Sequence, residues 1–389
     1  MRARLLPLVT VTAAGLLTLT GCVANATGSN SPAGALTVDS SADACTVSTA
    51  EAPSGNLSFR VTNSGDQVTE FYLLAEDGLR IVGEVENIGP GLSRDLVVQL
   101  SPGSYLTTCK PGMVGDGIDK TVFTVTDSGD DVVVDADLDA RVEVANTNYA
   151  AYVRDQVAQL LTGTQAFADA YLAGDDDTAR ALYAGTRAHW ERVETVAESF
   201  GDLDPQLDLR EADLEEGQAW TGWHAIEKDL WPADAEAGFA AYTPEQRQNL
   251  SGLLVADTTT LNEKVQDLDF SLSQQTNGAI GLLDEVATGK VTGEEEFWSH
   301  TDLWDFQANI DGAKVLYAGV RDILLEEDAD LAAELDTEFD ALQALLDAER
   351  VGDGFTLYTE LSPEEIKAFA DQVNALGEPL NQLTATLVL

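Results

Sequence analysis

The alternation of hydrophobic and polar positions changes rhythm twice along this chain. An apolar run from Leu5 to about Leu19 follows Arg2 and Arg4 and ends in Leu19-Thr20-Gly21-Cys22. It is too short and too rich in Thr for a membrane span, and small residues ahead of a Cys suit a signal peptidase that cuts after lipid attachment. Residues 1–21 are read as a lipoprotein signal peptide and Cys22 as its lipidated residue. Residues 22–40, with Ala, Asn, Ser, Gly and Thr and few large apolar side chains, read as a flexible tether.

From 41 to 140 apolar residues alternate with period two, as in Leu57-Ser58-Phe59-Arg60-Val61 and Thr121-Val122-Phe123-Thr124-Val125, between Gly, Pro, Asn and Asp. This pattern predicts a small β-sandwich. Beyond Asn146 the period becomes helical, with Tyr149, Val153, Val157, Leu160, Leu161, Thr164, Phe167 and Tyr171 on one face. Residues 146–389 are therefore expected to form an all-α bundle of about seven or eight helices. Thr243-Pro244-Glu245 and Ser362-Pro363-Glu364-Glu365 mark two helix starts, each a hydroxyl cap with proline in the first turn.

Charge narrows the partners. The chain carries 68 acidic and 21 basic residues, a net −47, which repels nucleic acid and anionic membrane surfaces and attracts cations. An acidic surface also keeps an exported protein soluble, so bulk charge permits metal binding without demonstrating it. With Cys22 lipidated, Cys45 and Cys109 remain as a pair suited to a disulfide in an oxidising compartment. A thiolate metal site is the competing reading.

Two segments carry candidate chemistry. In Gly222-Trp223-His224-Ala225-Ile226-Glu227-Lys228-Asp229-Leu230-Trp231, His224 and Glu227 stand three apart, on one helix face, where imidazole and carboxylate can grip one ion. Trp220, Trp223 and Trp231 would wall them from water; the bland alternative is a core histidine beside a surface glutamate. In Trp190-Glu191-Arg192-Val193-Glu194-Thr195-Val196-Ala197-Glu198, the residues Glu191, Glu194 and Glu198 stack on one face. Arg187, His189 and Arg192 do not fully balance them, and a bound cation would relieve the repulsion. The loop from Phe200 to Asp208 offers further oxygens. The chain has three His and no His-Glu-x-x-His, which argues against a helix-borne zinc protease; no Gly-x-Ser-x-Gly suggests a serine nucleophile.

Together with Ser299-His300-Thr301-Asp302-Leu303-Trp304-Asp305-Phe306-Gln307-Ala308-Asn309-Ile310-Asp311-Gly312, these segments resemble the imelysin family, in the same order and with a cupredoxin-like domain ahead of the bundle. The resemblance implies capture of iron, ferric or ferrous, at a bundle site containing His224 and Glu227, with Glu191 and Glu194 as companions and Asp208 and Glu285 as further candidates. Such ligands also suit manganese or zinc, so iron comes from the resemblance alone. It further implies an iron permease and a haem peroxidase as partners; the lipid on Cys22 would hold the protein at the outer face of the cytoplasmic membrane, and a monomer is expected.

The β-domain has no His, so a blue-copper site is not expected there. If its sulfurs are reduced, Cys45 and Cys109 with Glu70 and Glu84 or Glu86 form a possible second site favouring copper. His300 and Asp305 are either site residues or bundle packing. Other readings are a cell-envelope metallopeptidase, a ferrous-iron or copper redox enzyme, and an imelysin-type polymer-binding module.

Overall fold

The computed structural model describes residues 35–388 apart from 77, 79–80, 114–116, 129–135 and 215–216. The leader, Cys22 and most of the tether lie outside the described residues. A β-rich domain comes first and a helical domain follows.

Nine strands build the β-domain: β1 (Leu36–Ser40), β2 (Cys45–Val47), β3 (Glu51–Pro53), β4 (Gly55–Asn63), β5 (Thr69–Leu74), β6 (Ile81–Ile88), β7 (Ser93–Leu100), β8 (Gly103–Cys109) and β9 (Ile118–Thr126). They form a four-stranded sheet, β2-β1-β4-β7, and a five-stranded sheet, β3-β9-β8-β5-β6. Alternation decides which side chains meet between the sheets. Phe59 of the first sheet lies 5.5 Å from Phe71 and 5.4 Å from Phe123 of the second, and Val38, Val61, Leu73, Leu96 and Val98 fill the same layer. Cys45 and Cys109 are joined by a disulfide that staples β2 to β8 across this core.

Both edges of the expected sandwich are displaced. β1 already claims Leu36–Ser40, inside the stretch 22–40 read as tether, because Leu36 and Val38 alternate with polar neighbours and pair in parallel with β4. The first helix begins at Ala136, inside the segment 41–140 and upstream of Asn146, since Val142 and Ala145 already pack on the helical core.

The described residues contain nine α-helices: α1 (Ala136–Ala173), α2 (Asp176–Glu191), α3 (Leu203–Asp208), α4 (Trp223–Leu230), α5 (Pro244–Lys264), α6 (Leu272–Thr288), α7 (Asp302–Glu327), α8 (Ala329–Ala348) and α9 (Pro363–Val388). A small hairpin, β10 (Arg350–Val351) and β11 (Gly354–Phe355), joins the last two. Thr243 caps α5 in a capping box with Gln246, the start its Thr-Pro-Glu signal predicts. The excess over seven or eight helices comes from α3 and α4, too short to display a period of their own.

α2 does not continue through Glu198. It stops at Glu191, and Glu194–Phe200 forms a kinked 3-10 segment. The break is set by close packing: a Cβ on Gly278 of α6 would lie 1.8 Å from the Thr195 carbonyl, and one on Gly312 of α7 would lie 2.5 Å from that of Arg192. Only glycine lets these helices approach the segment so closely.

The domains meet where α6 lies against β6 and β7. Asn277 donates to the Val97 carbonyl (2.7 Å), the Gln99 amide donates to Ser273 Oγ (3.3 Å), and Arg94 pairs with Asp284.

Candidate metal centre

α4 is a single short helix with all eight residues buried. Trp223 anchors it, 4.9 Å from Phe167 and 5.8 Å from Tyr183. His224 and Glu227 share a face one turn apart, and the imidazole Nδ1 donates to Glu227 Oε2 at 3.1 Å. The other carboxylate oxygen of Glu227 accepts two backbone amides, from Trp298 (2.9 Å) and Ser299 (2.7 Å). Those amides are presented by a turn that closes at His300, whose φ is 58° and whose own amide donates to the Glu296 carbonyl at 2.8 Å.

With Nδ1 held this way, Nε2 of His224 faces Asp208 Oδ1 at 3.4 Å and Glu295 Oε1 at 3.5 Å, outside hydrogen-bond geometry. It is a buried polar nitrogen with no partner. A pocket of ≈ 380 Å³, lined by Arg210, Glu211, Asp213, His224, Glu295 and Trp298 among others, leads to it.

Beside this nitrogen lies an ion network. Arg187, fully buried, pairs with Glu191 (2.5 Å), Glu295 (2.9 Å), Asp208 and Glu296, and stands 3.7 Å from Asp305. Lys290, also buried, places its ammonium 3.0 Å from Glu191 and 2.6 Å from Glu194. Asn309 donates to Glu191 Oε2 (3.0 Å) and Glu194 Oε2 (2.7 Å) and to the Glu191 carbonyl that ends α2 (3.0 Å). Trp190 Nε1 donates to Asp208 Oδ2 at 2.7 Å.

The network pushes neighbouring acids in opposite directions. Burial would raise Glu295, but Lys290, His224 and Arg187 hold it well below the usual carboxylate range. Glu191 is likewise lowered against burial by Lys290 and then Arg187. Glu194 is raised well above that range by burial and by the charge of Glu191, and Asp305 by burial, Glu191 and Glu296. Burial and Glu296 carry Glu227 up to about 7. For His224, burial and Arg187 both act to lower the pKa; the hydrogen bond to Glu227 and the neighbouring carboxylates Glu295 and Glu296 outweigh them and hold it up at about 9. Separation of this kind among neighbouring acids is characteristic of functional sites.

Of the residues read from sequence, His224, Glu227, Glu191, Glu194 and Asp208 come together here. Glu285 joins them electrostatically: burial raises it while Lys290 and Arg210 act to lower it. Asp305 reaches the network through Arg187, and His300 serves the turn through its backbone. The side chain of Glu198 lies outside the described part. The expected acidic stripe is corrected in two respects: Glu191 and Glu194 sit on either side of a helix break, and Arg187 and Lys290 already balance them. Four members escaped sequence reasoning, namely Lys290, Glu295, Glu296 and Asn309. The run Glu294-Glu295-Glu296, immediately ahead of Phe297-Trp298-Ser299-His300, was the available signal.

In the β-domain the disulfide takes both sulfurs from the thiolate reading of the second site. Glu70 is buried and accepts from the Tyr72 hydroxyl at 2.6 Å, while Glu84 and Glu86 line the cleft between the domains. Among the described residues, the sets of three or more ligand atoms within 4.8 Å of one another are Asp208-His224-Glu295, His224-Glu227-Glu296 and Glu191-Glu194-Asp208, all in the helical domain.

Residues 145–383 match the family described as imelysin, peptidase M75. The iron uptake system component EfeO of Escherichia coli K12 is 36% identical over 348 residues, 89% of each chain, and its counterpart in Shigella flexneri matches equally. A crystal structure of a provisionally named iron-regulated protein A precursor from Parabacteroides distasonis aligns with a TM-score of 0.50 at 17% identity, covering 63% of this chain and 95% of that one. At that identity it speaks to the fold alone.

Proposed function

This chain belongs to the imelysin family, and on that premise we propose that it captures iron outside the cytoplasmic membrane and hands it to a membrane permease. The observation that carries the reading is His224 Nε2: buried, without a hydrogen bond, and facing Asp208 at 3.4 Å and Glu295 at 3.5 Å beside a pocket that His224 and Glu295 line. His224, Asp208 and Glu295 hold the ion. Glu227, with one oxygen on His224 Nδ1 and the other on two backbone amides, orients the imidazole, an arrangement metal-binding histidines commonly use. A carboxylate-and-imidazole set suits ferric or ferrous iron and also admits zinc or manganese, with copper or zinc as alternative cargo.

Around this centre we place the rest of the reading. Cys22 carries a lipid that keeps the protein at the outer face of the membrane, and a haem peroxidase acts in the same system as the permease. No helix of the described residues is long and apolar enough to cross a membrane. In this reading the protein transfers its ion; among the described residues each metal-compatible set contains at most one imidazole, His224, whereas helix-borne zinc proteases use paired imidazoles.

Calorimetric titration of the purified protein with Fe(II), Fe(III), Zn(II) and Cu(II), repeated on His224→Ala, tests this. Iron binding by the wild type that weakens about 10-fold or more in the variant supports it. Iron binding untouched by the substitution moves the site elsewhere, and no binding by either protein removes the capture reading.

A further inference from the structure

Lys290 is an unusual occupant of a site meant for cations. The oxygens of Glu191, Glu194 and Asp208 lie within 4.8 Å of one another, a spacing that one ion can bridge at ligand distances of about 2.0–2.6 Å. Asp208 also faces His224 Nε2, which is buried without a hydrogen bond, so this set is contiguous with the one at the pocket, and Arg187 pairs with both Glu191 and Asp208. The Lys290 ammonium stands 3.0 Å from Glu191, 2.6 Å from Glu194 and 4.0 Å from Glu295. An ion gripping Glu191 and Glu194 and this ammonium cannot share that space.

We propose that Lys290 is a built-in competing cation, whose ammonium holds the place between Glu191 and Glu194 and withdraws when a captured ion takes it. The inference rests on the capture reading above. Its physics is a comparison of charges. With its ammonium between Glu191 and Glu194, Lys290 joins Arg187 in offsetting the charge of this buried acidic cluster in the empty protein. A singly charged group is displaced only by an ion that gains more from the same oxygens, which favours tightly bound multivalent ions and turns away sodium, potassium and weakly bound magnesium or calcium. When the ion departs, the ammonium returns, so release does not leave bare buried carboxylates behind. Lysine fits this role because it carries its charge on a flexible four-carbon stem. It also starts a short 3-10 turn between Gly289 and Gly293, the latter with φ 76°.

The test uses Mn(II) alone as the probe and the full mature protein. Lys290→Met is expected to bind Mn(II) about 10-fold or more tightly than the wild type and to gain measurable Ca(II) binding. Equal affinities in the two proteins overturn the inference and leave capture intact; absence of Mn(II) and iron binding from both overturns capture as well. Because the variant leaves Glu191 and Glu194 without their ammonium and could fail to fold, the wild type supplies a second readout. Acylation of Lys290 by an amine-directed reagent, read by mass spectrometry, is expected to rise severalfold when saturating Mn(II) is added. Bound Mn(II) with unchanged Lys290 labelling overturns the inference.

Discussion

At the scale of single residues, the division of labour between His224 and Glu227 is the sharpest consequence of the geometry. The pair reads from sequence as two ligands on one helix face. For the proposed site the backbone amides of Trp298 and Ser299 favour an orienting role for Glu227, because they occupy one of its oxygens while His224 Nδ1 takes the other. Glu227→Gln keeps the shape and loses the charge, and should weaken iron binding by about 10-fold, no more severely than His224→Ala. A larger loss in Glu227→Gln than in His224→Ala would make Glu227 a direct ligand.

Asp302 offers a test by pH. It sits in the first turn of α7, accepts from the Glu296 amide at 3.2 Å, and leaves Oδ2 buried without a partner. Burial, then the charge of Glu296, raises it to about 7. A carboxyl raised on folding contributes stability that is present below its unfolded pKa of about 3.9 and lost as pH rises through about 7. Asp302→Asn cannot ionise and keeps the acceptor. Its stability relative to the wild type should therefore rise between pH 4 and 8, by on the order of 4 kcal/mol in denaturant titrations. A difference that does not vary with pH would mean that Asp302 ionises normally in the folded protein.

At the scale of elements, starts were legible and breaks were not. The cap at Thr243 is local chemistry, a hydroxyl bonded to an amide three residues on. Thr243→Ala should cost about 1 kcal/mol in chemical denaturation without changing metal affinity. The end of α2 is a tertiary matter, since nothing in Arg192-Val193-Glu194 forbids another turn of helix. It is the backbones of α6 and α7, brought close at Gly278 and Gly312, that take the space. Gly278→Ala should destabilise the helical domain by about 1–3 kcal/mol and weaken iron binding by shifting Glu194 and, through Lys290, the surroundings of Glu295. Wild-type melting and affinity in that variant would dissolve the link between the close approach and the site.

At the scale of the whole molecule, two cores are held by different means. The helical core is extensive and continuous, whereas the small sandwich adds a covalent tie, Cys45–Cys109, that closes a loop spanning 64 positions. Cys45→Ser should lower the stability of the β-domain by about 2–4 kcal/mol. Calorimetric scanning should show the β transition move while the helical one stays. A single transition that shifts as a unit would instead mean that the contacts along α6, from Asn277 and Ser273 to Asp284, couple the domains.

Periodicity, caps and turn residues are local quantities, so the sequence by itself determined the order β-domain then helical domain, the capped start of α5, the His-x-x-Glu face and the acidic balance of the chain. Tertiary structure decided which carboxylate meets which cation. Arg187 reaches Glu295 across 108 positions and Lys290 reaches Glu191 across 99. Such pairings depend on how helices dock, and docking is set by shape and close approach, which leave no periodic mark along the chain. The sequence therefore presents a stripe of acids awaiting a cation, and only the fold reveals that two buried cations of the protein's own already stand among them.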